Sequence, residues 1–136
     1  MRMYSKIMVP VDLAHLDQLS KAISTAEGFA QVHDAEIVYV SVTAQTPTQI
    51  AHNPAEFAEK LQAFAKSRPG GAGQSHAIAA HDPSVDIDKL LLKAVADTGA
   101  DLVVMASHKP GIADYFWGSH GGSLAAHAQI SVFIVR

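Results

Sequence analysis

With 136 residues, 49% of them hydrophobic and 17% charged, the chain carries enough apolar mass for one domain with its own core, which excludes a disordered segment. A formal net charge of −3 lacks the basic surplus that a nucleic-acid binder needs, and zero cysteines exclude a disulfide framework and a thiolate metal site. The apolar runs fall far short of the roughly 20 residues that span a bilayer, and Ile7–Val11 gives way to Asp12 without a leader-like core or cleavage pattern; a single cytoplasmic domain over residues 1–136 is therefore expected, with neither membrane nor nucleic acid as partner.

Ile7–Val11 (IMVPV) is a short apolar run of the kind buried on both faces of a parallel sheet, with Pro10 suited to its exit because proline cannot donate to a ladder. Leu16, Leu19, Ile23, Ala26 and Ala30 then recur at helical spacing with Asp17, Gln18, Lys21 and Glu27 between them, predicting an amphipathic helix over Leu16–Ala30. Ala35–Val42 (AEIVYVSV), bounded by His33-Asp34 and by the Thr/Gln/Pro-rich Thr43–Thr48, reads as a second strand. Pro54–Ser67 places Phe57, Leu61 and Phe64 on one helical face before residues 68–73 (RPGGAG) break the helix. Ser75–Ala80 is a weak third strand. Asp82-Pro83-Ser84 opens a helix whose stripe is Ile87, Leu90, Leu91, Ala94 and Val95, and Gly99 stops it. Asp101–Ala106 (DLVVMA) is the fourth strand, Ser119–Ala128 a last helix and Ser131–Val135 (SVFIV) a closing strand.

This strict alternation predicts an α/β fold: a doubly wound five-stranded parallel sheet of order 3-2-1-4-5 with helices on both faces, a Rossmann-like or flavodoxin-like three-layer sandwich. Ligands in such folds sit outside the carboxyl ends of the strands where the order reverses, here between the exits of the first and fourth strands. The loop Ser107–Ser119 occupies one of those exits. Gly118 lets backbone approach a ligand closely, Ser119 is a good helix N-cap that can face an anion, and His108 and Lys109 add positive charge nearby. The bland alternative is that Gly118-Ser119 only caps a helix.

Taken together, the opening KIMVPVD, the Asp82-Pro83 turn, DLVVMASH, the Gly118-Ser119 helix start and the ending HAQISVFIVR resemble a universal stress protein, over Lys6 to Arg136 and least over Thr43–Gly73. ATP-binding members of that family follow the fourth strand with glycine, two residues, a second glycine, nine residues and Gly-Ser or Gly-Thr. Here Ala106 and Lys109 stand where those glycines would be, and eight residues, Pro110–Trp117, separate Lys109 from Gly118. The start Ser107-His108-Lys109-Pro110 looks like the subgroup with a Ser-His-basic-Pro loop, which is still associated with adenine nucleotides. The resemblance implies that Pro10, Asp12 and Val42 border adenine and ribose, with Asp12 on the ribose hydroxyls, and that Gly118, Ser119 and the backbone of His120 hold the phosphates of ATP, ADP or AMP. Val11, Ala106, Ser107, His108 and Lys109 complete the nucleotide-binding set, and any magnesium arrives with the nucleotide. The residues agree at Asp12: an acceptor-only carboxylate directly after the first strand can take hydrogen bonds from a ribose diol, although it can also cap the following helix.

Eight histidines show no metal-binding spacing; His108 and His120 flank the proposed phosphate site, and the others read as surface residues. Tyr115, Phe116 and Trp117 read as packing residues within the loop or against a second subunit. The closing strand 131–135 has no strand after it and is an apolar edge, and the resemblance implies a homodimer through it. The leading function is a stress-response protein that binds an adenine nucleotide and signals through occupancy and dimer contacts. No Walker motif, catalytic triad or paired carboxylates stand out, so catalysis is at most slow ATP hydrolysis or autophosphorylation at Ser107 or Ser119. The alternative is a nucleotide-free interaction module with a degenerate loop, favoured by Ala106 and Lys109. A flavin electron-transfer protein shares the architecture but lacks an acidic, aromatic-rich pocket.

Overall fold

The computed structural model describes residues 2–69, 73–107 and 121–136. The elements are β1 Lys6–Pro10, a 3-10 turn Leu16–Leu19, α1 Ser20–His33, β2 Glu36–Ala44, α2 Pro54–Ser67, β3 Gln74–Ala80, α3 Pro83–Thr98, β4 Leu102–Ala106, α4 Gly121–His127 and β5 Ser131–Val135. Every strand pairing is parallel and the order is β3-β2-β1-β4-β5, as the alternation of elements predicts.

Both faces of the sheet are covered, which is why the central strands read as continuous apolar runs. Successive side chains of β1 go to opposite sides: Ile7 and Val9 pack with Leu19, Ile23 and Ala26 of the α1 segment and with Leu61 and Ala65 of α2. Met8 packs with Ile87, Leu91 and Ala94 of α3 and Leu124 of α4. The same alternation divides β4, with Leu102 and Val104 on the α1 side and Val103 and Met105 on the α3 side. All four are buried, and each such aliphatic side chain contributes about 1.5–3 kcal/mol of transfer free energy.

Several boundaries differ from the expectation for physical reasons. The expected helix Leu16–Ala30 is divided: the chain makes a 3-10 turn first, with Leu19 at φ −100° and ψ 0°, and the α-helix begins at Ser20. It then runs on to His33, because nothing breaks it before Asp34, which adopts the left-handed conformation (φ 53°) and donates its N–H to the Ala30 carbonyl. β2 continues past Val42 through Thr43 and Ala44, which pair with Ala79 and Ala80. Pro10 is the last residue of β1, where its missing donor costs the ladder least, and pairing carries one step further through Val11 N–H to the Val40 carbonyl at 2.8 Å. Gly99 stops α3 at φ +73°, a conformation that side chains other than glycine's rarely adopt. Asn53 caps α2 by accepting the Glu56 N–H at 2.8 Å, and Pro54 fills the first turn.

Candidate functional site

β1 lies between β2 and β4, so the strand order reverses at β1, and its exit is the topological position where such folds take ligands. Ile7 pairs with Leu102 and Met8 with Val103. Carried on at the same step, this register aligns Val11 with Ala106 and Asp12 with Ser107. On the other side Pro10 pairs with Val40, so the β1–β2 register aligns Asp12 with Val42. Six residues that the sequence singled out, Pro10, Val11, Asp12, Val42, Ala106 and Ser107, thus meet at one end of the sheet. His108, Lys109, Gly118, Ser119 and His120 lie outside the described residues, as do Tyr115, Phe116 and Trp117.

The backbone beneath Asp12 is anchored. Val11 is fully buried; its N–H donates to Val40, and its carbonyl accepts the buried Ser41 hydroxyl at 2.7 Å. On the β4 side, Ser107 donates its N–H to the Val135 carbonyl at 2.7 Å, continuing the ladder to β5 one residue past the strand. Val42 and Ala106 are both buried, at 8% and 6% exposure.

Asp12 itself starts a tight turn. Its Oδ1 accepts the Ala14 N–H at 2.9 Å, its carbonyl accepts the His15 N–H at 3.0 Å, and its Oδ2 stands 2.8 Å from His15 Nδ1. This is an Asx turn rather than a helix cap: the carboxylate bonds its own loop, and α1 begins five residues after His15. A carboxylate only accepts, so Nδ1 carries the proton in this contact. Each oxygen offers about two lone-pair sites, and the described residues fill one on each.

His15 corrects the expectation that it is a plain surface residue: its side chain is 23% exposed and paired with Asp12. The signal was the spacing Asp12-Leu13-Ala14-His15, an Asx-turn former with an imidazole three residues on. Ser41 was also missed, because a serine inside an apolar strand gives no hint of which carbonyl it meets. Among the described residues, no three of His, Asp and Glu converge as a metal site.

A cavity of about 810 Å³ opens elsewhere, between α1, the amino-terminal half of β2 and the α2–β3 turn, lined by residues including Glu27, Gly28, Tyr39, Arg68 and Gly73. Two of its charged groups are committed to each other: Arg68 forks onto Glu27 through Nη2 at 2.9 Å and Nε at 3.2 Å. These hydrogen bonds push the guanidinium pKa further up. Tyr39 is 1% exposed, and burial first and Glu27 second push its hydroxyl up to about 12, against the opposing pull of Arg68. A Cβ at Gly73 would stand 3.1 Å from the Tyr39 ring and 3.2 Å from the Ala65 carbonyl, so the chain passes over the ring where glycine fits best. The cavity beside Tyr39 therefore holds the self-paired Glu27 and Arg68, whereas the exit of β1 holds a carboxylate with acceptor capacity that the described residues leave unfilled.

Comparison with known proteins agrees with this fold. The model of the universal stress protein family matches residues 3–136. Universal stress protein G of Shigella flexneri is 31% identical over 98% of this chain and 100% of its own length. A universal stress protein from Archaeoglobus fulgidus in complex with dAMP shares the fold at TM-score 0.66 and 16% identity, over 98% of this chain and 99% of the other. One from Arabidopsis thaliana with AMP bound shares it at TM-score 0.54 and 17% identity, over 96% and 90%. The chain belongs to the universal stress protein family. Among the described residues no helix is long and apolar enough to cross a membrane.

Proposed function

We propose that this member of the universal stress protein family binds an adenine nucleotide, ATP or its ADP and AMP relatives, in the crevice between the exits of β1 and β4. The observation that carries this reading is the Asp12 carboxylate, fixed at the switch point by two donors of its own loop, with an acceptor site on each oxygen that the described residues leave unfilled. A ribose diol donates two hydrogen bonds and suits such a group. Pro10 and Val42 supply apolar surface for the base, and the nucleotide complexes of the Archaeoglobus and Arabidopsis proteins lend support. The triphosphate falls to Ser107, His108, Lys109, Gly118, Ser119 and His120, with magnesium held by the nucleotide.

Occupancy signals stress in the cytoplasm through a homodimer joined along β5. That strand is a sheet edge, and Phe133 on it is 44% exposed despite an edge-to-face contact with Phe29 at 5.0 Å. Calorimetric titration with ATP and magnesium, repeated on Asp12→Ala, tests the binding site. Absence of binding at millimolar nucleotide sinks it and leaves the nucleotide-free interaction module. Light scattering on Phe133→Glu tests the dimer: a monomer is expected, and an unchanged dimer refutes the β5 interface.

A further inference from the structure

We propose that His15 is the positioning residue that fixes how Asp12 grips the sugar of a bound nucleotide, an inference that rests on the reading of Asp12 given above. His15 occupies the position before the 3-10 turn Leu16–Leu19, where a polar side chain commonly turns forward onto free backbone N–H groups. It makes no such cap bond. Its backbone (φ −135°, ψ 36°) instead brings the ring back over the preceding turn, and Nδ1 reaches Asp12 Oδ2 at 2.8 Å. Both side chains are largely shielded, at 23% and 19% exposure, so the contact is not a loose surface pair.

An unrestrained carboxylate rotates about its last side-chain bond and presents its lone pairs over a broad range of directions. Ala14 N–H on Oδ1 and the imidazole on Oδ2 together fix its plane. A vicinal diol donates to two acceptors at a set spacing, so it gains from a carboxylate whose plane is settled before it arrives. The Ala14 contact alone holds one oxygen; His15 supplies the second point. The Nδ1 proton is present both in the imidazolium and in the neutral tautomer that donates from Nδ1, so the clamp does not depend on the ring's charge.

The ligand feature recognised is therefore the 2′,3′-diol, and the test reads it directly. Affinities for AMP and 2′,3′-dideoxy-AMP are measured on the full chain, on Asp12→Asn and on His15→Leu and His15→Asn. The unaltered chain is expected to favour AMP by about tenfold, the size of one net hydrogen bond to a charged group. His15→Leu should lose most of that preference while its affinity for the dideoxy nucleotide stays unchanged. His15→Asn should restore it, because the amide Nδ2 sits roughly where the imidazole Nδ1 does. If His15→Leu is poorly folded, His15→Ala reads the same ratio. Equal weakening of both nucleotides, or a preference kept in His15→Leu but lost in Asp12→Asn, overturns the role of His15 alone. A preference absent in the unaltered chain, or unaffected by Asp12→Asn, overturns the reading of Asp12 and the inference with it.

Discussion

The two ends of the parallel sheet each carry an aspartate beside β1, and they are used in opposite ways. At the amino-terminal end Asp101, just before β4, accepts the Ser5 N–H at 2.9 and 3.2 Å and the Lys6 N–H at 3.0 Å, and its own N–H donates to the Lys6 carbonyl at 3.0 Å. It ties together two segments 95 residues apart and is consumed by backbone. At the other end, among the described residues, Asp12 bonds only Ala14 and His15 of its own loop. A carboxylate spent on distant backbone holds a fold together, whereas one steadied by its immediate neighbours is free to meet something else. The Glu27–Arg68–Tyr39 group belongs to the first kind, since its charges are matched within the protein.

The largest effect that sharpens this contrast is expected from Asp101→Ala. Losing charge-assisted bonds to two backbone donors should cost about 3 kcal/mol in urea unfolding, with nucleotide affinity unchanged in the folded fraction. A fall in affinity without a fall in stability would reverse the roles assigned to the two aspartates. Next comes the alkaline limb of stability. Folding raises the Tyr39 pKa from 10.0 to about 12, so above pH 10 the native state holds more protons than the unfolded chain. The corresponding stability is fully present below pH 10 and lost as pH rises toward 12, by about 2–3 kcal/mol. Tyr39→Phe should lack that share of the alkaline decline, measured as the difference between the two proteins' unfolding free energies from pH 9 to 12.

Asp12→Ala should show the converse of Asp101→Ala: unfolding free energy within about 1 kcal/mol of the unaltered chain, but nucleotide affinity about tenfold weaker by calorimetry. A large loss of stability would mark Asp12 as a structural group. The smallest effect is expected from Arg68→Ala. The forked bond to Glu27 is partly solvated, with side-chain exposures of 32% and 22%, so about 1 kcal/mol of stability is at stake, and nucleotide affinity should not move. If affinity did respond, the cavity beside Tyr39 would no longer be separate from the site.

Much of this was legible in the residues. The apolar runs Ile7–Val11 and Asp101–Ala106 and the stripe Ile87, Leu90, Leu91, Ala94 and Val95 announce strands and a helix because burial imposes its period on the sequence. The position of Asp12 directly after the first strand placed it at the switch point. Less legible was the division of Leu16–Ala30 into a 3-10 turn and an α-helix, since apolar spacing is nearly the same in both. The histidine ring on Asp12 was only half legible, because the spacing Asp12-Leu13-Ala14-His15 permits the contact while the side-chain rotamers that make it leave no mark in the sequence.

The sequence by itself determined the kind of fold, the family, and which residues stand at the strand exits, because these follow from local periodicity and from motifs in order along the chain. Only the tertiary structure decided which polar groups are consumed and which are left over. Asp101 meets Ser5 across 96 residues, and Arg68 meets Glu27 across 41. Such pairings depend on how packed elements are brought side by side, and no single segment encodes that.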